Sequence, residues 1–585
     1  MKKKILSILF ATVFTVSTVL TGCSGNETKP ETDGDKSIQA NNDAESTEPN
    51  EWGWVVPAET LNISVYPGYG DQVEFEDDEH GGKATYDKWL LDNMNVSIDL
   101  TYYSIDMDEK LNLMLATNDY PDVITWMSDD MAQKFIAQGK AVDLTELIGK
   151  YGDNITRRMG DYINMLYDED GKIYKLAQGW GSTPNVAGFD FGVRYDYWKE
   201  LGEAEIYKTP EDYFNIMEKI LKNHPTNESG QKTYAFTSDN KGLNFLNTML
   251  AAYGFVNGFK VDKNSGEFTH WLNTDEGLEI ARFMNKCYQN GFIDPDYLTN
   301  GYEEYVTKLS SEQVLGNLGT WWYAWTGGHQ VWAVNEGDNY NVDKRIMNVS
   351  VAADNLELSD TTLLTSKYTG SYRCIITDKA KNPEMILKWI NWENSELGNM
   401  ITGWGAPSEE NVWKIDENGT WVVDDAILDV DKKEQTYHAV KDANGAGIYM
   451  MATNTNWLYT DGKSTFDKID PRIDRLSVYD YWPVDGNGEF SNEGVRLSWQ
   501  YYKAPAFDIT LYNATFSAED PISVTKQTIT DKITVDWAKM MTAASAEACT
   551  AAFETARKEA NTLGLEALTD YYQDAYEKNV EKMKK

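Results

Sequence analysis

The sequence predicts an α/β protein of more than one domain with a helical C-terminus. Three observations carry this. Strand and helix patterns alternate from residue 61 to about residue 400. The tail from Thr534 to Lys584 is rich in Ala, Glu, Lys and Met. The chain of 585 residues exceeds what one ordinary core needs and suggests two or three domains.

The elements follow in order. Leu61 to Gly70 (LNISVYPGYG) alternates as a strand and stops at Pro67 and Gly68. Tyr86 to Asn93 reads as a short helix and Val96 to Tyr103 as a second strand. In Asp108 to Thr117, Leu111, Met114 and Leu115 mark one apolar helical face. Pro121 to Trp126 is a third strand. This β-α-β-α-β succession is the pattern of a mostly parallel sheet covered by helices. Helices follow at Pro210 to Leu221, at Asp275 to Tyr288 and at Pro383 to Glu393. Residues 411–500 carry turn sequences such as DENGTW, DANGAG and DGNGEF and read as a loop-rich insertion. None of the three completes a calcium loop, and ordinary turns are expected. In the tail, Leu563-Gly564 divides two helices.

Charge and rings narrow the function. Asp and Glu number 93 against 53 Lys and Arg, a net charge of −40. That disfavours a nucleic-acid partner or docking on anionic lipid through charge. The chain holds 20 Trp, 35 Tyr and 19 Phe. Many rings stand beside Gly, Thr or Asn, in QGWGST, GTWWYAWTGGHQVW, TGWGAP and TNTNWLY. Sugars present a C–H face to an aromatic plane and a girdle of hydroxyls to charged and amide groups. Trp180, Trp322, Trp325 and Trp404 are therefore platform candidates, with Trp457 beside them, and core packing is the competing reading for each. Trp198 and Trp271 read as packing residues. Arg194 and Asp196 alternate on an apparent short strand, as a buried ion pair or as hydroxyl ligands. Asp122 caps a turn or touches ligand. Glu393, Asn394 and Asn399 read as a solvated helix end. No nucleophile elbow, HExxH or phosphate loop is present, so no catalytic residue, metal or cofactor is expected.

The N-terminus points to a compartment. Lys2, Lys3 and Lys4 precede an apolar run of signal-peptide length. The following Leu20-Thr21-Gly22-Cys23 resembles the bacterial lipoprotein signal, which implies diacylation of Cys23 and a membrane attachment without a spanning helix. Removing residues 1–22 takes away three lysines and no acids, which moves the net charge from −40 to −43. Residues 24 to 55 read as a flexible acidic spacer. Cys287, Cys374 and Cys549 are expected as buried free thiols.

The order of KLNLMLATNDYPDVI (110–124), GKAVDLTELIGKYGDNI (139–155), DGKIYKLAQGWG (170–181), RYDYWKELG (194–202), TPEDYFNIMEKI (209–220), FMNKCYQNGFIDPDYL (283–298) and GNLGTWW (316–322) resembles the extracellular solute-binding proteins of bacterial ABC importers. The likeness is to the large, lipid-anchored carbohydrate type of Gram-positive bacteria. It implies two α/β lobes joined by a hinge, an oligosaccharide held in the cleft between them, permease subunits as partners and a monomer on the outer face of the cell membrane. It places Tyr66 at the cleft rim, Trp126 at the end of the third strand, Trp180 before the first lobe crossing, Arg194 and Asp196 at the start of the second lobe, and Trp321, Trp322 and Trp325 within it. The implied organisation is signal 1–22, lipidated tether 23–56, first lobe 57–187 and 356–410, second lobe 188–355, insertion 411–500 and a return with C-terminal helices at 501–585. A receptor for a peptide or other non-sugar solute is the alternative. A lipid-anchored glycoside hydrolase would need two opposed carboxylates.

Overall fold

In the computed structural model the described residues are 48–67, 82–100, 107–178, 186–187, 189–202, 206–262, 265–341, 343–349, 351–354, 356–366, 370, 372–405, 413–423, 492–502, 507–516 and 520–584. In chain order the strands are β1 (Leu61–Pro67), β2 (Val96–Leu100), β3 (Val123–Met127), β4 (Leu176–Gln178), β5 (Val186–Ala187), β6 (Asp190–Arg194), β7 (Phe259–Val261), β8 (Phe268–His270), β9 (Gly316–Gly319), β10 (Ile346–Met347), β11 (Leu364–Ser366), β12 (Tyr372–Ile376), β13 (Trp413–Ile415), β14 (Trp421–Val423) and β15 (Phe507–Asp508).

The first sheet has the order β2-β1-β3-β12-β4. Its side chains alternate between two cores, as period 2 requires. Leu61, Ile63, Val65, Val123, Cys374 and Ile376 enter one, and Tyr66, Ile124 and Ile375 the other. The helix Gly82–Met94 links β1 to β2, and the helix Met107–Thr117 precedes β3 and buries Leu111, Met114 and Leu115 as the pattern predicts. β1 pairs in parallel with β2 and β3, but β12 runs antiparallel to β3 and to β4. The expectation of a mostly parallel sheet therefore holds for its first three strands only. The strand β12, inserted between β3 and β4, comes from about 250 residues further along the chain, a partner that local periodicity cannot reveal.

A second sheet, β10-β6-β9, is antiparallel. The core against it includes Phe191 and Val193 of β6 and the buried face of the helix Pro210–Asn223, with Tyr213, Phe214, Ile216, Met217 and Ile220. That helix starts where the sequence says. Pro210 fits the first turn, and Thr209 and Asp212 exchange backbone and side-chain bonds as a capping box. Thr274 and Asn382 likewise cap the helices Asp275–Gln289 and Pro383–Glu393.

A third sheet, β15-β11-β5, involves both connections between the first two sheets. β5 lies between β4 and β6 in the chain, β11 lies between β10 and β12, and they pair with each other. β15 adds in parallel at Thr365 and Ser366.

The tail forms three helices, Pro521–Met541, Ala546–Thr562 and Leu565–Met583. The break at Gly564 is where it was expected. The further break at 542–545 was not, and it arises because Ser545 leaves the helix and accepts from the Ala548 N–H at 3.2 Å. The tail packs on the second core. Trp537 meets Trp271 edge-on at 6.2 Å, its indole N–H donates to the Gly242 carbonyl at 2.9 Å, and the Asn285 amide donates to the carbonyls of Met541 and Ala543. Gly564 has φ +104°, and a Cβ there would meet Thr525 Cγ2 at 3.2 Å. Gly564→Ala is expected to cost about 1–2 kcal/mol, read as a lower urea midpoint at unchanged slope.

Two expectations need correction. The acidic spacer does not run to residue 55: Trp54 is buried against Trp389 and Trp392, its indole N–H donates to the Met94 carbonyl at 2.8 Å, and the Trp52 carbonyl accepts from Trp392. Nor are Glu393, Asn394 and Asn399 a solvated helix end; all three are buried. Glu393 accepts from the Trp389 indole at 3.1 Å and the Asn394 carbonyl from Arg158 Nε at 2.6 Å. The aromatic packing turns that end inward, which a window of local polarity does not show. Cys287, Cys374 and Cys549 are free and buried, as expected. Of the insertion, the described parts are the hairpin β13–β14 and the helix Glu493–Tyr502. DENGTW forms the hairpin turn, in which the Asp416 carboxylate accepts from the N–H groups of Asn418 and Thr420 at 2.8 Å. Cys23 and the turn sequences DANGAG and DGNGEF lie outside the described residues, and among the described helices none is long and apolar enough to cross a membrane.

Candidate functional site

At the carboxyl end of β3, in the middle of the first sheet, Trp126 is the last residue but one and has φ +57°. A bulky residue in that region is strained, and such positions concentrate at working sites. Two partners hold it. Its N–H donates to Gln178 Oε1 at 2.5 Å, and its half-buried ring meets Tyr372 edge-on at 5.4 Å. Gln178 and Tyr372 face each other in the β4–β12 register, so three strand ends converge here. This is the carboxyl end of β3, the edge at which open α/β sheets place ligands.

An ion cluster lies beside these rings. Asp129 accepts from Lys175 Nζ at 2.7 Å and from Arg373 Nε at 2.5 Å, and Thr515 Oγ1 stands at 3.4 Å. Burial opposes its ionisation, but Arg373 and Lys175 outweigh that and hold the carboxyl well below the usual carboxylate range. A depressed carboxylate contributes stability above its unfolded value, near pH 4, and loses it as pH falls. The melting temperature is expected to fall progressively from about pH 5 down through the strongly acidic range, with a shallower fall in Asp129→Asn.

The second sheet contributes a denser arrangement. Arg194 ends β6 and is 2% exposed. Its guanidinium forks onto Asp196, Nε to Oδ1 at 3.0 Å and Nη2 to Oδ2 at 2.6 Å, and reaches Glu312 through Nη1 at 2.9 Å. Tyr197 and Trp332 cover it at 4.4 and 4.9 Å. Asp196 is not on a strand with Arg194, because β6 ends at 194 and the helix Tyr195–Glu200 begins. The contacts match the ion-pair reading of the two residues. Ahead of them, Asp190 opens β6, fully buried, and Oδ1 accepts from Asn317 Nδ2 at 2.8 Å. The segment after β9 holds Trp321 and Trp322 in a short helix and Trp325 in a π-helical turn, and Tyr323 within it donates to Asp239.

The other candidates fall as follows. Tyr66 is buried in the core on one face of the first sheet. Trp404 ends the helix Glu396–Trp404. For Trp321, Trp322, Trp325 and Trp404 the backbone is described and the side chain lies outside the described part. Trp180 and Trp457 lie outside the described residues. Trp198 and Trp271 are buried packing residues, as read from the sequence. Asp122 joins two strands by accepting from the Ser64 N–H at 2.9 Å and hydroxyl at 2.7 Å. Sequence reasoning missed Gln178, Tyr372, Asp129, Asp190 and Asn317. Gln178 and Asn317 stand inside the quoted QGWG and GNLGTWW, where the aromatic signal drew attention away from the amides. No group of three or more His, Cys, Asp or Glu among the described residues could hold a metal ion. A groove on the C-terminal helices, lined by Lys532, Glu554, Lys558, Glu559 and Leu563, carries no ring.

The architecture is a mixed α/β, multi-sheet fold with a helical C-terminal region, and solved solute-binding proteins share it. The crystal structure of an S. pneumoniae ABC-transporter substrate-binding protein, the FusA EF-hand mutant in complex with fructo-nystose, superposes with a TM-score of 0.60 at 18% identity over 88% of this chain and 99% of that one. Alginate-binding protein AlgQ2 gives 0.57 at 16% over 90% and 99%. An HMO-binding, ABC-transporter-associated solute-binding protein from Bifidobacterium longum infantis gives 0.58 at 16% over 88% and 98%. In sequence, the chain is 25% identical over 340 residues to the fructooligosaccharide ABC transporter substrate-binding protein FusA of Streptococcus pneumoniae. That match spans 55% of this chain and 60% of the relative's length. No family profile matches the chain.

Proposed function

We propose that this protein is the substrate-binding component of an ABC importer, a non-enzymatic receptor that takes an oligosaccharide between two lobes and hands it to a membrane permease. The observation that carries this is the half-buried Trp126–Tyr372 pair at the carboxyl end of β3, held by Gln178 beside an ion cluster. An aromatic pair beside amide and charged groups at the strand ends suits a sugar's two kinds of surface. The sequence relationship to a fructooligosaccharide-binding protein supports the ligand class. In this reading the first lobe spans 57–187 and 356–410 and the second 188–355. The paired segments β5, β11 and β15 form the hinge, and Trp321, Trp322 and Trp325 supply rings from the second lobe. Trp180, Trp404 and Trp457 are further candidate platforms, and Arg194 with Asp196 braces the second lobe. Cys23 carries the lipid and the tether holds the monomeric body outside the membrane.

Closure of two lobes on a ligand is a hinge motion and changes the molecule's shape. Small-angle X-ray scattering with and without saturating nystose tests it. A smaller radius of gyration in the bound state is expected, with no release of reducing sugar. An unchanged radius with bound nystose contradicts capture between lobes, and released sugar marks a hydrolase.

A further inference from the structure

The segment Trp321–Gln330, with Trp321, Trp322 and Trp325, includes a turn of π-helix, an irregularity frequent at functional sites. It follows directly on a polar floor. Asp190 stands opposite Gly319 at the β6–β9 end. The Asn317 amide donates both to Asp190 Oδ1, at 2.8 Å, and to the carbonyl of Thr320, at 3.1 Å. Tyr305 fixes the other side of that amide by donating to Asn317 Oδ1 at 2.9 Å. Two buried atoms in this floor have no hydrogen-bond partner, Asp190 Oδ2 and Thr320 Oγ1. One is a carboxyl oxygen that needs a donor if it is charged. The other is a hydroxyl with a proton to give, on the residue immediately before Trp321.

A buried carboxylate with an unmet oxygen is costly, so the neutral acid is favoured. Burial pushes Asp190 up to about 8, against the Asn317 amide, which lowers it. The titratable groups that face it are the hydroxyls of Tyr207, Tyr213 and Tyr305, all kept neutral by burial. The charge of Asp239 raises Tyr305 and Tyr323 further.

We propose that Asp190 is a positioning residue whose protonation state sets, through Asn317 and Thr320, where the tryptophan-bearing segment stands, and so makes oligosaccharide affinity depend on pH. When the acid is neutral, Asn317 alone holds it and the Thr320 turn rests as seen. When it ionises, Oδ2 takes the Thr320 hydroxyl as donor and draws the start of the Trp321–Gln330 segment toward β6. This rests on the oligosaccharide reading, and its test separates the two.

The test uses the full chain labelled with 5-fluorotryptophan, without ligand. Fluorine resonances of Trp321, Trp322 and Trp325, assigned by single Trp→Phe variants, are expected to shift with a common midpoint near 8. The shift should vanish in Asp190→Asn, which keeps the shape and cannot ionise. Resonances that stay still in the wild-type chain, or that titrate equally in Asp190→Asn, overturn the proposal. The wild-type titration decides it even if the variant fails to fold. Calorimetry with nystose is the second reading. Kd is expected to change at least about fivefold between roughly pH 6 and 9 in the wild-type chain and less than about twofold in Asp190→Asn. Equal changes in both overturn the coupling. No binding at either pH, with the fluorine midpoint present, overturns the sugar reading and leaves the proton-driven movement standing.

Discussion

Replacing Arg194 with alanine is expected to lower the free energy of unfolding by about 3–5 kcal/mol, the range for removing one member of a buried ion pair. The side chain is 2% exposed, with two carboxylates on its guanidinium and two rings over it. Alanine leaves Asp196 and Glu312 in a largely buried pocket without that cation, and a void between Tyr197 and Trp332. Lys344 still reaches Glu312 at 2.6 Å, so the loss falls hardest on Asp196. Arg194→Lys should recover part of the loss only, because an ammonium cannot fork onto Asp196 while reaching Glu312. Urea unfolding of the three proteins checks this, and a loss under about 1 kcal/mol in the alanine variant contradicts it. The same variants ask whether Arg194 meets a sugar. If it only braces, Arg194→Lys keeps its ligand affinity while folded.

Trp126→Ala is expected to do the reverse, to lose at least about tenfold in ligand affinity, or about 1.4 kcal/mol, with little change in stability. The ring is half-buried and stands at the carboxyl end of β3, so little packing is lost. Trp126→Gly sharpens the contrast. Glycine takes φ +57° without penalty, which offsets lost contacts by about 1–2 kcal/mol while the platform is still removed. Trp271→Ala, from the buried core, should cost roughly 3–5 kcal/mol and leave affinity unchanged in whatever remains folded. Calorimetry and unfolding on the same samples separate the two behaviours. A Trp126 variant that loses stability and keeps affinity makes that ring a packing residue.

Much of the fold was legible because its signals are local. Thr209, Thr274 and Asn382 mark helix starts through bonds within four residues. The alternation of β1 and β3 sorts their side chains between two cores. What escaped depends on distant partners. β12 reverses the sheet's direction from far along the chain, and Trp389 and Trp392 bury Trp54 and turn Glu393 inward. The site divides the same way. Trp126 was legible as a ring at a strand end. Its left-handed backbone was not, because it answers to Gln178, 52 residues on. The floor under the tryptophan segment draws on residues 190, 305 and 317, and no single window holds all three.

Isothermal calorimetry of the full chain against kestose, nystose and manno-, xylo-, malto- and galacto-oligosaccharides asks whether the protein captures a sugar. Saturable one-to-one binding of at least one of them is expected at about 1 μM or tighter, near −8 kcal/mol, weakened in Trp126→Ala. Absence of heat with every sugar, alongside binding of a peptide or other solute, would contradict it.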